Sequence, residues 1–242
     1  MKRWVSPPAV CTLPPGSLQV WRTRLDHFPE LHARHSELLS HGELARADRF
    51  VLTADRQRFI ACRTTLRLLL GNYLQIPPQS VLIEEGPQGK PIVTGSNLAL
   101  RLKFNLSHSH GMAVFVFANE REVGIDVEKI RLDFASHEIA QRYFSSQEIA
   151  ELEALAPQLY RAGFFRCWTR KEAYIKARGQ GLQIPLNSFS VSLAPERPPQ
   201  LIATDSERWS IYSFEPLPEY AAAIVAEKCD WALSFYDCSA FL

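Results

Sequence analysis

Apolar residues recur along the chain with two different periods, and the switches between them mark out its elements. Between residues 55 and 74 they fall at Phe59, Cys62, Leu66, Leu69 and Tyr73. Those spacings of three or four predict an amphipathic helix. Extended runs follow at 81–85, 102–106 and 112–118, parted by Gly, Pro and Ser/His breaks. The order then repeats: residues 164–178 predict a second helix, and strand-like runs follow at 189–193, 209–214 and 220–226. A helix followed by a strand meander, twice over, predicts an α+β protein of two similar halves related by a pseudo-two-fold, each a helix packed on a small antiparallel sheet. The division falls near residue 120, giving an N-terminal half of 1–119 and a C-terminal half of 120–242. Between the two patterns, residues 135–155 read as one helical, partly charged stretch ending before Pro157. Ser145 and Glu148 there have capping-box spacing, which is enough to explain Glu148.

Candidate chemistry sits where the two patterns meet. In Val123-Gly124-Ile125-Asp126-Val127-Glu128 the apolar residues alternate with Gly124, Asp126 and Glu128. Strand alternation sets the two carboxylates on one face, their Cα atoms roughly 6.7 Å apart, with Gly124 leaving space beside them. Two such oxygen donors can share a hard cation, although an ordinary solvated acidic face has the same pattern. On the second helix, Trp168, Glu172 and Lys176 are spaced by four and share a face. Glu172 can supply a third carboxylate, or simply pair with Lys176 on a wet surface.

Residues 104–110, Phe-Asn-Leu-Ser-His-Ser-His, read as a strand running into a turn dense in hydrogen-bonding groups. Such a turn can hold a phosphate, or it can satisfy its own backbone. Gly89-Lys90-Pro91 is by itself a turn, and the arginines at 46, 49, 56, 58, 63 and 67 are by themselves a solvated helix face.

Composition narrows the partners. Among 242 residues, 46% hydrophobic and 22% charged, the chain can bury a core, and 27 basic against 26 acidic side chains leave a net charge of +1. That balance argues against a nucleic-acid partner, so an anionic ligand needs a local basic cluster. The five cysteines, Cys11, Cys62, Cys167, Cys229 and Cys238, have no CxxC spacing. They indicate neither a disulfide framework nor a zinc site, and they fit the reducing cytoplasm. No apolar run is long enough for a signal peptide or a membrane span.

Taken in order, Arg46, Gly89-Lys90-Pro91, the FNLSHS run, the GIDVE strand and WTRKEAYIK resemble the surfactin-synthetase-activating type of 4'-phosphopantetheinyl transferase, from about Arg46 to Leu182. The resemblance implies a monomeric enzyme with its active site in the cleft between the halves. It would move the phosphopantetheine arm of coenzyme A to a serine of an apo acyl or peptidyl carrier protein, releasing adenosine 3',5'-bisphosphate. It also implies that Asp126, Glu128 and Glu172 hold Mg2+, that Lys176 contacts the diphosphate, and that Glu172 acts as general base. Arg46 and His108 would bind the 3'-phosphate, Gly89 and Lys90 would lie near the adenosine, and Asn105 and Ser107 would belong to the same binding turn. Some relatives carry a second basic residue three positions before Arg46, where this chain has Glu43. Phe134, Tyr143 and Phe144 are either carrier-docking residues or core. The alternative is an inactive regulator that binds coenzyme A or carrier proteins. The absence of a P-loop or a glycine-rich kinase loop argues against a nucleotide phosphotransferase.

Overall fold

The computed structural model describes residues 3–26, 35–95, 101–131, 133–193, 198–228 and 230–238. Met1, Lys2 and Cys229 lie outside the described residues. The strands are β1 (Ser17–Arg24), β2 (Leu82–Glu85), β3 (Pro91–Thr94), β4 (Leu102–Ser109), β5 (Met112–Asn119), β6 (Val123–Lys129), β7 (Ser190–Val191), β8 (Leu201–Ile202), β9 (Trp209–Phe214), β10 (Tyr220–Glu227) and β11 (Ala232–Asp237). The helices are α1 (His35–Leu38), α2 (His41–Ala47), α3 (Thr53–Leu74), α4 (His137–Tyr143), α5 (Ser146–Glu153) and α6 (Pro157–Arg178).

Two sheets form the centre, one ordered β11-β1-β5-β4 and the other β6-β10-β9. Each is covered on its outer face by a 22-residue helix, α3 on the first and α6 on the second. The alternation in β5 explains the layering. Ala113, Phe115 and Phe117 pack with α3, whereas Met112, Val114, Val116 and Ala118 pack toward the second sheet. In β10, Ala223 and Val225 meet α6, whereas Ala222, Ile224 and Ala226 face the first sheet. A strand buried on both faces reads as a near-continuous apolar run because both of its side-chain sets are core. The predicted pair of α+β halves is thus present, with their sheets packed against each other.

Four particulars differ from the sequence reading. The stretch 135–155 is two helices, because Phe144 is extended and Ser145 starts a new helix with its capping box to Glu148. Helix α6 begins seven residues before 164, at Pro157, whose missing N–H costs nothing at the first helical position. Residues 104–109 continue the strand through Ser109, so the turn is at His110-Gly111, both at positive φ. Strands β1, β8 and β11 had no clear period. In particular, β11 leaves the C-terminal half and pairs in parallel with β1, covering what would otherwise be an open edge of the first sheet.

Candidate active site

The carboxylate strand β6 is an edge of the second sheet, pairing only with β10. Its Val123, Ile125 and Val127 point into the core between the sheets, so alternation turns Gly124, Asp126 and Glu128 toward α6. The space beside Gly124 is filled rather than open. A Cβ built there would lie less than 3.0 Å from the Ala173 carbonyl oxygen, the Ala177 nitrogen and the Ala177 Cα. The missing side chain therefore lets α6 backbone lie directly on β6, which brings Glu172 and Lys176 up to Asp126. Lys176 Nζ donates to Asp126 Oδ1 at 2.6 Å and to Ser107 Oγ at 3.1 Å.

Strand β4, the edge of the first sheet, runs beside β6 and is joined to it by side chains. Asn105 Oδ1 accepts the Ile125 N–H at 2.9 Å. Ser107 Oγ donates to Asp126 Oδ1 at 2.8 Å, and Ser109 Oγ donates to Glu128 Oε2 at 2.7 Å and accepts from the Lys129 N–H at 3.2 Å. Residues 105, 107 and 109 share one strand face, so the FNLSHS run acts as a polar seam between the sheets. Asn105 and Ser107 are thus buried, at 4% and 8% exposure, and are bonded to the carboxylate strand instead of lying in a turn.

Burial sets the electrostatics. Asp126 is 3% exposed, and its Oδ2 has no hydrogen-bond partner. The Glu172 carboxyl is pushed up to about 7, first by desolvation and then by the charge of Asp126, with Lys176 acting the other way and Glu128 adding to the rise. Desolvation also raises Glu128, against the Ser109 hydrogen bond. The three carboxylates therefore feel one another, and the acidic face is not the solvated one that alternation alone allows. Among the described residues, however, no three His, Cys, Asp or Glu side chains are drawn together as a ready metal cluster. The donor set nonetheless fits a hard cation: three carboxylates, one with a buried and unpartnered oxygen.

The basic residues lie around this centre. His108 has an exposed side chain, and its pKa is lowered by partial desolvation and by the Lys176 ammonium, with a smaller contribution from Arg46. Arg46 is exposed, pairs with Glu85 at 3.1 Å and lies over the Phe59 ring. Lys90 bonds to Glu122 at 3.2 Å and to the Val123 carbonyl at 3.1 Å. Gly89, at φ +77, closes the turn before it with open space around its Cα. A cleft of about 330 Å³ opens between β3, β4 and the end of α6, lined by Lys90, Ile92, Phe104, Glu122, Arg178 and Gly179. Asp126, Glu128 and Glu172 are not among its lining residues. Glu43 is turned away from this region. It caps α2 from Ser40 and is buried against Arg63 and Arg67, while Arg58 is held by Asp26.

The sequence reading passed over three contributors. Ser109 has the same spacing as Asn105 and Ser107 and was legible from it. Lys171 pairs with Glu148 at 2.6 Å with both side chains fully buried, so Glu148 does more than cap α5. The third is the approach of α6 to Gly124, which required the tertiary structure. Phe134 and Phe144 belong to the aromatic core around Phe164 and Trp168, and Phe144 is 2% exposed. Tyr143 packs edge-on against the same Trp168.

Two family models match the chain end to end: "4'-phosphopantetheinyl transferase, N-terminal" over residues 21–121 and "4'-phosphopantetheinyl transferase superfamily" over residues 122–225. The 4'-phosphopantetheinyl transferase HetI of Nostoc is 35% identical across 96% of this chain and 97% of its own. The 4'-phosphopantetheinyl transferase psf-1 of Bacillus pumilus is 31% identical across 78% and 79%, and Sfp of Bacillus subtilis is 29% identical across 84% and 88%. With matches that run through both halves and across the GIDVE strand and α6, the chain belongs to the 4'-phosphopantetheinyl transferase superfamily, as an enzyme of the surfactin-synthetase-activating type.

Proposed function

We propose that the chain moves the 4'-phosphopantetheine arm of coenzyme A onto a serine of an apo acyl or peptidyl carrier protein, leaving adenosine 3',5'-bisphosphate. The observation that carries this reading is the convergence on buried Asp126 of Lys176 from α6, Ser107 from β4, and the raised carboxyl of Glu172. Asp126, Glu128 and Glu172 would hold Mg2+, with the orphaned Asp126 Oδ2 as one donor. When bound, the ion supplies positive charge against the diphosphate. Lys176, already bonded to Asp126, would add a compact cation for the diphosphate. Arg46 and His108 take the 3'-phosphate, and Gly89, Lys90 and the cleft beside them take the adenosine end. Asn105 and Ser107 contribute by holding β6 and Asp126 in place.

In the transfer itself, the serine oxygen attacks the phosphorus of the pantetheine phosphate, the bond to the adenosine bisphosphate breaks, and the serine proton passes to Glu172. Without metal the Glu172 carboxyl is raised to about 7, and Mg2+ beside it would favour the deprotonated form that accepts a proton. The halves 1–119 and 120–242 would divide the work, with coenzyme A contacts from the first and the carboxylates from the second. The protein is taken to be a cytoplasmic monomer. In support, Cys11, Cys62, Cys167 and Cys238 are free buried thiols, and no helix among the described residues is long and apolar enough to cross a membrane. The burial of Phe144 and the packing of half-buried Phe134 against Phe164 and Trp168 favour a core role over carrier docking.

The test is incubation of the protein with Mg2+, coenzyme A and a panel of apo carrier proteins, followed by intact-mass analysis. One phosphopantetheine increment on the carrier is expected. Folded protein that modifies no carrier would leave the inactive coenzyme A-binding or carrier-binding regulator as the reading. Comparison of KM for coenzyme A and dephospho-coenzyme A then tests Arg46 and His108, and equal values would remove both from the 3'-phosphate.

A further inference from the structure

A second polar cavity lies on the other flank of α6. It measures about 260 Å³, several times the ~30 Å³ that one water occupies in the liquid. Arg166, Arg170, Ser213, Glu215, Ile130 and Tyr220 are among its lining residues. Arg170 is 3% exposed. Its Nε donates to Ser213 Oγ at 2.9 Å and its Nη1 donates to the Ser192 carbonyl. Both of those acceptors are neutral, and among the described residues no carboxylate pairs with Arg170. One helical turn earlier, Arg166 lines the same cavity and donates to the Leu193 carbonyl at 3.0 Å. A guanidinium carries five N–H groups, so Arg170 retains donors beyond these two bonds, and the Ser213 hydroxyl still has its own proton to give.

A buried cation with only neutral partners is expensive. Leaving a polar void beside it instead of packing it with apolar side chains is the arrangement of a site for a counter-anion. We infer that this cavity binds one small oxyanion, a phosphate or a carboxylate, in the fork of Arg170 with Ser213 as second donor. Glu215 is the opposing charge in the lining. Its side chain is exposed, whereas Arg170 is buried. The anion would brace α6 against β9 on the face opposite Asp126. The inference does not depend on the transfer reaction.

The experiment is titration of the full chain, without Mg2+, by inorganic phosphate, sulfate, acetate and chloride at constant ionic strength, followed by thermal unfolding and calorimetry. Phosphate or sulfate should give saturable binding that raises Tm by about 5–10 °C at a hundredfold excess over Kd, and chloride should not. Acetate acting as well as phosphate would identify a site for either oxyanion; phosphate acting alone would identify a phosphate site. The response should vanish in Arg170→Met and persist in Lys176→Ala, which separates it from anions held near Asp126. Ser213→Ala, expected to weaken binding about tenfold, serves if Arg170→Met does not fold. A response no greater than that of chloride, or one unchanged in Arg170→Met or in Ser213→Ala, overturns the inference.

Discussion

Replacing Gly124 by alanine tests the idea that α6 is aligned by its contact with β6. The new methyl group would fall less than 3.0 Å from the Ala173 carbonyl oxygen, the Ala177 nitrogen and the Ala177 Cα, all of them helix backbone that cannot rotate away. Restoring ordinary van der Waals separation of about 3.5 Å requires α6 to retreat by about 1 Å. Overpacking of this kind costs about 1–3 kcal/mol, or roughly 2–12 °C in Tm for a chain of this size. The larger consequence concerns Glu172 and Lys176, which ride on the displaced helix. A 1 Å retreat would stretch the 2.6 Å Lys176–Asp126 contact beyond hydrogen-bond range. Misplacement on that scale costs about 10²-fold in rate.

The assay pairs thermal unfolding with the rate of carrier modification, and the control is Gly163→Ala. Its Cβ would meet only the side-chain ends of Leu155 and Leu152, which can shift. Gly163→Ala should therefore lose a few degrees and keep its rate within about threefold. Wild-type Tm and rate in Gly124→Ala would refute the reasoning, as would equal effects from the two substitutions.

Five further outcomes are expected. Glu172→Gln should abolish transfer while calorimetry still detects coenzyme A binding, and wild-type turnover would remove Glu172 from the mechanism. Because the folded Glu172 carboxyl titrates at about 7 and an unfolded one near 4.5, the fold binds the extra proton. Its contribution is therefore full below about 4.5 and is lost as pH rises through 7, so metal-free protein should lose about 2–3 kcal/mol over that interval in urea titrations. Mg2+ affinity should rise over the same interval, and pH-independent affinity would count against Glu172 as a ligand. Asn105→Ala leaves the Ile125 N–H buried without its acceptor and should cost about 1–3 kcal/mol in chemical denaturation; an unchanged midpoint would show that the seam between β4 and β6 is not needed. Lys171→Met alone strands Glu148 and should cost about 3–5 kcal/mol, whereas Lys171→Met with Glu148→Leu should recover most of that stability, and no recovery would refute the pairing.

The sequence by itself determined what depends on neighbours along the chain. The spacings of three or four in α3 and α6, the alternation in β6, the apolar runs of β5 and β10, and the capping box at Ser145 are all short-range patterns, and each became the element it predicts. Alternation also put Asp126 and Glu128 on one face, and helical spacing put Glu172 and Lys176 on another. Strands β1 and β11 escaped because their pairing joins residues more than 200 apart, and neither carries a period that reveals it. Only the tertiary structure decided that the two faces meet. The deciding contact is the backbone of α6 on Gly124, and it buries Asp126 and raises Glu172. Alternation marked Gly124 only as room beside the carboxylates, and a missing side chain does not say what fills that room, so its part in assembling the site became visible only with the helix lying on it.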